Sequence, residues 1–184
     1  IDFDYNIDQM QEKNWNKIWE SNFDPVFIND HCVIRSDFHS LKREYEYDIV
    51  INPKMSFGTG HHETTSLMID KIFELKISNS SVLDIGTGTG VLSILSSRLG
   101  AKKVVGIDID PWSFENASEN KKLNNCSEID FYMVDIGHIK DKFDFLIANI
   151  NKNTIIMDLK KYLNLMYEHS ILLISGFFVD DNDE

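Results

Sequence analysis

The fold of this chain is decided by the stretch Val82-Leu83-Asp84-Ile85-Gly86-Thr87-Gly88-Thr89-Gly90. It predicts an apolar strand that stops at three alternating glycines and gives way to an amphipathic helix over residues 91–99. Eighteen residues after Gly90, a second apolar strand ends on Asp108. A glycine turn at one strand tip and a carboxylate at the next is how a doubly wound sheet holds a ribose-bearing cofactor.

Strands and helices alternate regularly from this stretch onward. The strands are predicted at 82–85, 104–109, 129–134, 143–150 and 171–175, and the helices between them at 91–99, 111–123 and 153–167. Alternation of this kind, with nearly continuous apolar strands, is typical of a parallel sheet covered on both faces. We therefore predict an α/β fold with a doubly wound, mostly parallel sheet.

The first 52 residues have a different pattern. A helix is predicted from Asp8 to Asn22, because Met10, Trp15, Ile18 and Trp19 fall near one face, and short strands follow at 26–28, 32–35 and 47–51. A further helix is predicted over 63–75. We expect a linker helix with a short β segment over 1–52 and a cofactor-binding domain over 53–184. Since the chain starts without methionine and stops just after a strand, we expect a fragment truncated at its C-terminus.

Composition limits the classes of partner. The formal net charge is −12, which repels a phosphate backbone, so no direct nucleic-acid binding is expected and a basic protein partner is favoured. The two cysteines have no metal-binding spacing, and a reducing, cytoplasmic location is expected. No apolar stretch approaches the length of a membrane span, so no membrane partner is expected. The sequence does not determine the oligomeric state.

Each glycine of the turn has a predicted task. Gly86 allows a sharp turn, Gly88 lets the backbone approach a ligand, and Gly90 permits close packing of the next helix. The spacing G-x-G-x-G is one residue tighter than the dinucleotide form, which disfavours a pyrophosphate and hence a nicotinamide-dependent dehydrogenase. Asp108 is predicted to accept hydrogen bonds from two ribose hydroxyls. Its alternative task, capping the following helix, is better served by Asp110.

A second glycine-bearing segment precedes the first strand of the sheet. Phe57-Gly58-Thr59-Gly60 is followed by a helix, and such a loop can fold over a cofactor. We expect the Thr65 hydroxyl and the first amides of that helix to face the carboxylate of the ligand. By itself a Gly-Thr-Gly loop is usually only a turn.

The tight glycine turn with Asp84 before it resembles the motif of S-adenosylmethionine-dependent methyltransferases. The resemblance implies S-adenosyl-L-methionine as cofactor, with its amino-acid end over the glycines and Asp84 acting on its ammonium directly or through water. Asp135, at the end of the third strand, is a candidate for the adenine amino group. An equally good interpretation makes Asp135 a turn residue before Gly137.

Both segments together resemble the PrmA family, whose members methylate a protein of the large ribosomal subunit. The matching pieces are the segment Phe57 to Thr65, the glycine turn, the run Gly100 to Pro111, Glu115-Asn116-Ala117 with Glu119-Asn120, and Ala148-Asn149-Ile150. The family usually has Thr and Pro where this chain has His61 and Glu63, whose role the sequence does not explain. The family's small N-terminal domain is missing here, and so is the strand pair expected after Gly176.

The resemblance implies methylation of amines, on the α-amine or lysine side chains of a ribosomal protein. Asn149 is the candidate catalytic residue, because its Oδ1 and the adjacent carbonyls are placed to orient a neutral amine; its alternative role is to cap the helix near Asn153. His61 and His62 are not expected to bind a metal, and His62 is expected to shape its loop. The competing functions are methylation of a small molecule or of a nucleic-acid base, and a non-catalytic cofactor-binding scaffold.

Overall fold

The computed structural model describes residues 24–52, 58, 60 and 62–177. Several predictions lie outside these residues: the helix over 8–22 with Trp15 and Trp19, the candidate site residues Phe57 and Thr59, the departure at His61, and the acidic end of the chain.

A small sheet of three strands comes first in the described chain. Strand β1 (Val26–Ile28) pairs antiparallel with β2 (Cys32–Arg35), which pairs parallel with β3 (Tyr47–Val50). All three strands were predicted, and β3 ends one residue earlier than expected. Ile28, Ile34 and Ile49 point inward and join the core of the larger sheet.

The larger sheet has five parallel strands in the order β6-β5-β4-β7-β8. Their bounds are Ser81–Ile85 for β4, Lys103–Asp108 for β5, Ile129–Met133 for β6, Phe143–Ala148 for β7 and Met166–Ile174 for β8. The order reverses between β4 and β7, so the chain winds outward from the centre in both directions. In such sheets the ligand lies beyond the carboxyl ends of the strands, at the point of reversal.

Helices cover both faces of this sheet. They are α1 (Glu63–Glu74), α2 (Val91–Arg98), α3 (Pro111–Leu123) and α4 (Lys152–Asn164), with a short 3-10 helix at Ile136–His138. Alternate residues of β4 enter different cores, since Val82 packs with α1 and α2 whereas Leu83 packs with α4. The predicted doubly wound α/β fold is confirmed. Among the described residues, no helix combines the length and apolarity needed to cross a bilayer.

The last strand was predicted too short. The helix expected to reach residue 167 ends at Asn164, and β8 begins at Met166 rather than at 171. The pairing of β8 with β7 is irregular between Phe143 and Phe145, and there the Ser170 hydroxyl donates to the Phe143 carbonyl oxygen at 2.6 Å. The residues at this edge of the sheet are exposed and polar, so a hydrophobicity pattern does not reveal the start of the strand.

Three asparagines, two on α3 and one at its C-cap, attach the end of the small sheet to the larger sheet's layer of helices. Asn124 accepts from the Val50 N–H at 2.9 Å and donates to the Val50 carbonyl oxygen at 2.7 Å. Asn120 accepts from the Asn52 N–H at 3.0 Å, and Asn116 donates to the Asn52 carbonyl oxygen at 2.9 Å. The spacing of four residues keeps the three side chains on one stripe of the helix.

Gly106, in the middle of β5, is a position where only glycine fits. A Cβ atom there would lie 2.4 Å from the Phe131 ring and 2.9 Å from the Thr87 hydroxyl. We expect Gly106→Ala to lower the free energy of unfolding by about 1–3 kcal/mol, because the packed ring must move. Urea denaturation measures this loss.

Phe131→Leu provides the matched control for this overpacking. Removing the ring should make room for the new methyl group, so the double variant should lose less stability than the sum of the two single variants. Strictly additive losses would contradict the steric explanation.

Candidate active site

A cavity of about 620 Å³ opens at the carboxyl ends of the five parallel strands. Every strand contributes residues at or just after its end: Gly86 and Gly88 for β4, Asp108 and Ile109 for β5, Val134 and Asp135 for β6, Asn149 and Ile150 for β7, and Ser175 and Gly176 for β8. The cavity therefore lies across the point of reversal between β4 and β7, where a ligand of this fold is expected.

The candidate site residues divide into those that line the cavity and those that lie behind it. Gly86, Gly88, Asp108, Asp135 and Asn149 are on the lining. Gly58, Gly60, Thr65, Asp84 and Gly90 are not among the lining residues, whereas Phe57 and Thr59 lie outside the described residues. Sequence reasoning thus found residues from four of the five strand ends.

The glycine turn is built as its spacing predicts. Gly86 has φ +70°, and a Cβ atom on it would lie 2.4 Å from the Ile150 side chain, so the turn after β4 closes directly against the turn after β7. Gly88 has φ +55°. Gly90 has φ +82° and begins α2, and a Cβ atom there would meet Phe131 at 3.0 Å and Ala117 at 3.2 Å. The positive φ disfavours a side chain at all three positions, and at Gly86 and Gly90 a Cβ atom would also crowd neighbouring residues.

Asp108 is half-buried and held by the backbone. Its Oδ2 accepts from the Gly88 N–H and its Oδ1 from the Asp110 N–H, both at 3.0 Å. A carboxylate has about four acceptor positions, so each oxygen keeps capacity for one more donor. The capping role belongs to Asp110, as predicted, because its Oδ2 accepts from the Ser113 N–H at 2.9 Å.

Asp135 has the turn role that the sequence left open. Its Oδ1 accepts from the Gly137 N–H at 2.6 Å, and its Oδ2 lies 3.1 Å from His138 Nδ1. The same side chain lines the cavity next to Val134 and Ile136. The turn role is therefore confirmed, while the contact to an adenine amino group stays a prediction.

Asn149 is held from both sides at the end of β7. Its Nδ2 donates to the Thr65 hydroxyl oxygen at 3.1 Å, and its Oδ1 accepts from the Ser175 hydroxyl at 2.5 Å. The alternative role as a helix cap is wrong, because Asn151 caps α4 by accepting from the Thr154 N–H at 3.0 Å. Asn149 is thus available to the cavity, with its amide plane fixed.

The expected direct role of Thr65 needs correction. Thr65 is fully buried, its hydroxyl accepts from Asn149, and its N–H donates to the His62 carbonyl oxygen at 2.9 Å. The hydroxyl therefore supports Asn149 instead of facing a ligand. His62 shapes its loop as expected, since its Nδ1 caps α1 by accepting from the Thr64 N–H at 3.3 Å. His62 and Thr64, rather than Thr65, line the cavity.

Gly58 and Gly60 also act away from the cavity in this structure. Gly58 has φ +101°, and its carbonyl oxygen accepts from the Thr89 hydroxyl at 2.6 Å. Gly60 packs against the small sheet, where a Cβ atom would lie 2.7 Å from Ile34. The segment therefore bridges the small sheet and the glycine turn.

Asp84 lies beneath the glycine turn, not in the cavity. It is only 1% exposed, and its Oδ2 accepts from the hydroxyls of Thr87 and Ser93, each at 2.7 Å. Burial raises the pKa of Asp84 to about 6, an increase that the charge of Asp108 supports and the two hydroxyl hydrogen bonds oppose. The expected direct contact with a ligand ammonium is wrong for this conformation, because the carboxylate is enclosed.

Sequence reasoning missed the contribution of β8 and α4. Ser175 fixes Asn149, and Gly176 has φ +83° with its Cβ position 2.7 Å from the Ile150 carbonyl oxygen. Asp158 and Tyr162 of α4 line the far side of the cavity. The dipeptide Ser175-Gly176 directly after an apolar strand was a usable signal. No sequence signal identifies Asp158 and Tyr162, because only the tertiary fold turns them toward the cavity.

Among the described residues, no group of three or more His, Cys, Asp or Glu side chains is arranged to hold a metal ion.

Comparison with known proteins decides the family. Residues 2–184 match the family model described as Ribosomal protein L11 methyltransferase (PrmA). The chain belongs to the PrmA family. A family member from Bacteroides fragilis, named ribosomal protein L11 methyltransferase, is 45% identical over 180 residues, which cover 96% of this chain. A protein of the same name from Porphyromonas gingivalis is 41% identical over 96% of this chain.

The PrmA chain described here spans less than its full-length relatives. It covers 64% of the Bacteroides fragilis protein and 62% of the Porphyromonas gingivalis protein. A solved structure, described as ribosomal protein L11 methylase from Lactobacillus delbrueckii subsp. bulgaricus, superposes with a TM-score of 0.75 at 27% identity. That match covers 83% of this chain and 79% of the solved one, which confirms the methyltransferase fold.

The raised pKa of Asp84 predicts how the stability of the folded chain depends on pH. The pKa of this group is about 6 in the folded chain and 3.8 in its ordinary state, so the folded state binds the extra proton at intermediate pH. Its contribution to stability is therefore present below about pH 4 and is lost as the pH rises to about 6. We expect Asp84→Asn to remove this loss.

The measurement is the free energy of unfolding in urea at several pH values. The difference between Asp84→Asn and the unaltered chain should grow in favour of the variant between about pH 4 and about pH 6.5, since other groups cancel in the comparison. A pH-independent difference would show that Asp84 does not titrate in this range.

Proposed function

We propose that this chain is the cofactor-binding, catalytic part of an S-adenosylmethionine-dependent methyltransferase that modifies amines of ribosomal protein L11. The observation that carries the proposal is the cavity at the strand reversal, where a bare glycine turn, the fixed Asp108 carboxylate and the fixed Asn149 amide meet. The names of the relatives support the substrate, because they are called ribosomal protein L11 methyltransferase.

The lining fits the nucleoside part of this cofactor. Asp108 has two oxygens with remaining acceptor capacity, which suits the two adjacent hydroxyls of a ribose. Gly86 and Gly88 present backbone without side chains, which suits close approach of the amino-acid end. Asp135 lies on the lining, and we assign it the contact with the adenine amino group.

Residues behind the lining support it. Asp84 holds the turn through Thr87 and Ser93, and Thr65 holds Asn149. We place Gly90, which begins α2, in the same supporting group. The segment Phe57 to Gly60 completes the proposed cofactor site, as the resemblance to the family implies.

The charge of the lining also suits a cationic ligand and a cationic substrate. Asp108, Asp135 and Asp158 line the cavity, and the described lining residues include no lysine or arginine. Clefts with one sign of charge concentrate ligands of the opposite sign and repel those of the same sign. The cavity therefore favours a sulfonium and an ammonium over a pyrophosphate.

When bound, S-adenosylmethionine supplies a methyl group on an already activated sulfonium. The chain then has to align an amine and keep it unprotonated during attack. Asn149 Oδ1 accepts one hydrogen bond from Ser175 and has capacity for a second, which an N–H of the neutral amine can donate. Asn149 is not a base at neutral pH, so the proton of the ammonium leaves to water. The contribution of the protein is positioning, because a fixed amide lowers the entropic cost of alignment.

The cofactor assignment is tested by calorimetry with S-adenosylhomocysteine. Asp108→Ala should weaken binding by about 1.5–3 kcal/mol, the range for hydrogen bonds to a charged group. The matched control is Asp110→Ala, which removes the cap of α3 and should cost about 1 kcal/mol of stability without changing affinity. Equal affinity of the Asp108 variant and the unaltered chain would contradict the ribose assignment.

The reaction is tested by transfer of labelled methyl groups to purified ribosomal protein L11. Asn149→Ala should lower the rate by about 100-fold, the scale expected when a reacting group loses its alignment. The control is Asn153→Ala, an exposed residue of α4 that does not line the cavity. Ribosomal RNA and a metabolite extract are assayed in parallel, and label in either instead of the protein would overturn the substrate assignment.

A further inference from the structure

We infer that Thr89 and Asn120 are positioning residues that tie the glycine turn to both ends of the segment between Asn52 and Gly58. The inference rests on the proposed function, because it assigns these residues to the affinity of the chain for its nucleoside ligand. Neither residue lines the cavity, and neither was a candidate from the sequence.

The tie consists of three hydrogen bonds in series. The Asn52 N–H donates to Asn120 Oδ1 at 3.0 Å, and Asn120 Nδ2 donates to the Thr89 carbonyl oxygen at 2.9 Å. The Thr89 hydroxyl then donates to the Gly58 carbonyl oxygen at 2.6 Å. Both described ends of the segment are therefore attached to the same residue of the turn, one through Asn120 and one directly.

Burial makes these contacts strong. Thr89 and Asn120 are both fully buried, at 0% exposure, so a missing partner would leave a desolvated polar group unpaired. The side-chain oxygen of Asn120 accepts from Asn52 and its NH2 group donates to Thr89, so the two partners belong to different parts of the chain. Loss of either partner therefore destabilises the folded state, and the three hydrogen bonds hold a single geometry.

Thr89 controls the conformation of the glycine turn because both of its neighbours are glycines with positive φ. Gly88, at φ +55°, donates its N–H to Asp108 Oδ2, and Gly90, at φ +82°, begins α2. Glycine has more backbone freedom than any other residue, so the side chain and carbonyl of Thr89 restrict a turn that is otherwise loose. Releasing them should loosen the Gly88 N–H from Asp108, whose carboxylate is the proposed ribose acceptor.

Asn124, the C-cap of the same helix, shows what a purely structural asparagine does. It is 2% exposed and binds both backbone groups of Val50, but it makes no contact with the glycine turn among the described hydrogen bonds. Asn124→Ala should therefore lower the thermal stability of the chain and leave ligand affinity unchanged. The two asparagines lie four residues apart, Asn120 in the last turn of α3 and Asn124 at its C-cap, which makes them a matched pair.

The main experiment compares Thr89→Val with Thr89→Ser. Valine removes the hydroxyl, whereas serine keeps it, so only the first variant breaks the contact with Gly58. We expect Thr89→Val to weaken S-adenosylhomocysteine binding by about tenfold, the scale of one lost buried hydrogen bond, and Thr89→Ser to bind within about twofold of the unaltered chain. Thermal stability is measured on the same samples.

Asn120→Asp tests the other half of the tie. It keeps an oxygen for the Asn52 N–H and removes the donor to the Thr89 carbonyl, so affinity should again fall by about tenfold. This variant decides the question if Thr89→Val does not fold. Affinities that follow thermal stability across all the variants, Asn124→Ala included, would overturn the inference, as would equal affinities of the valine and serine variants.

A ligand-free measurement separates this inference from the proposed function. Hydrogen exchange at the Gly88 and Gly90 amides should accelerate in Thr89→Val and Asn120→Asp but not in Asn124→Ala. If the unaltered chain does not bind S-adenosylhomocysteine, the cofactor assignment fails while the exchange result still decides whether the tie orders the turn. Unchanged exchange in both tie variants would overturn the inference.

Discussion

The hydrogen bond from the Gly88 N–H to the Asp108 carboxylate, at 3.0 Å, joins the tips of the neighbouring strands β4 and β5. It exists because Gly88 adopts φ +55°, which turns its N–H toward the neighbouring strand end. A side chain at that position would disfavour this left-handed conformation. This contact holds the proposed ribose acceptor in one orientation on the lining of the cavity.

Polar groups below the turn hold it in place at an energetic cost. Asp84 is buried with a raised pKa of about 6, and the hydroxyls of Thr87 and Ser93 partly offset the cost of enclosing its charge. On the other side, Thr89 and Asn120 attach the turn to the segment that leads from the small sheet. A turn of three glycines has little order of its own, so the surrounding hydrogen bonds provide it.

The carboxyl edge of the sheet carries both the proposed nucleoside site and the candidate catalytic residue Asn149. Thr65 from α1 and Ser175 from the end of β8 hold its amide from opposite sides, so a residue at the tip of β7 is oriented by elements far apart in sequence. The strands that bind the proposed nucleoside and the strand that presents Asn149 meet where the strand order reverses. Membership of the PrmA family and this arrangement lead to the same proposed chemistry.

The sequence by itself determined the doubly wound sheet, the glycine turn and the Asp108 position, because these depend on local spacing and on the alternation of nearly continuous apolar strands with helices. Only the tertiary structure decided that Thr65 supports Asn149, that Asp84 is enclosed, and that Ser175 and Asp158 reach the cavity. Those outcomes depend on which side chains from distant segments meet. The beginning of β8 escaped prediction for a related reason, since an edge strand with exposed polar residues is defined by its partner strand and not by its own hydrophobicity.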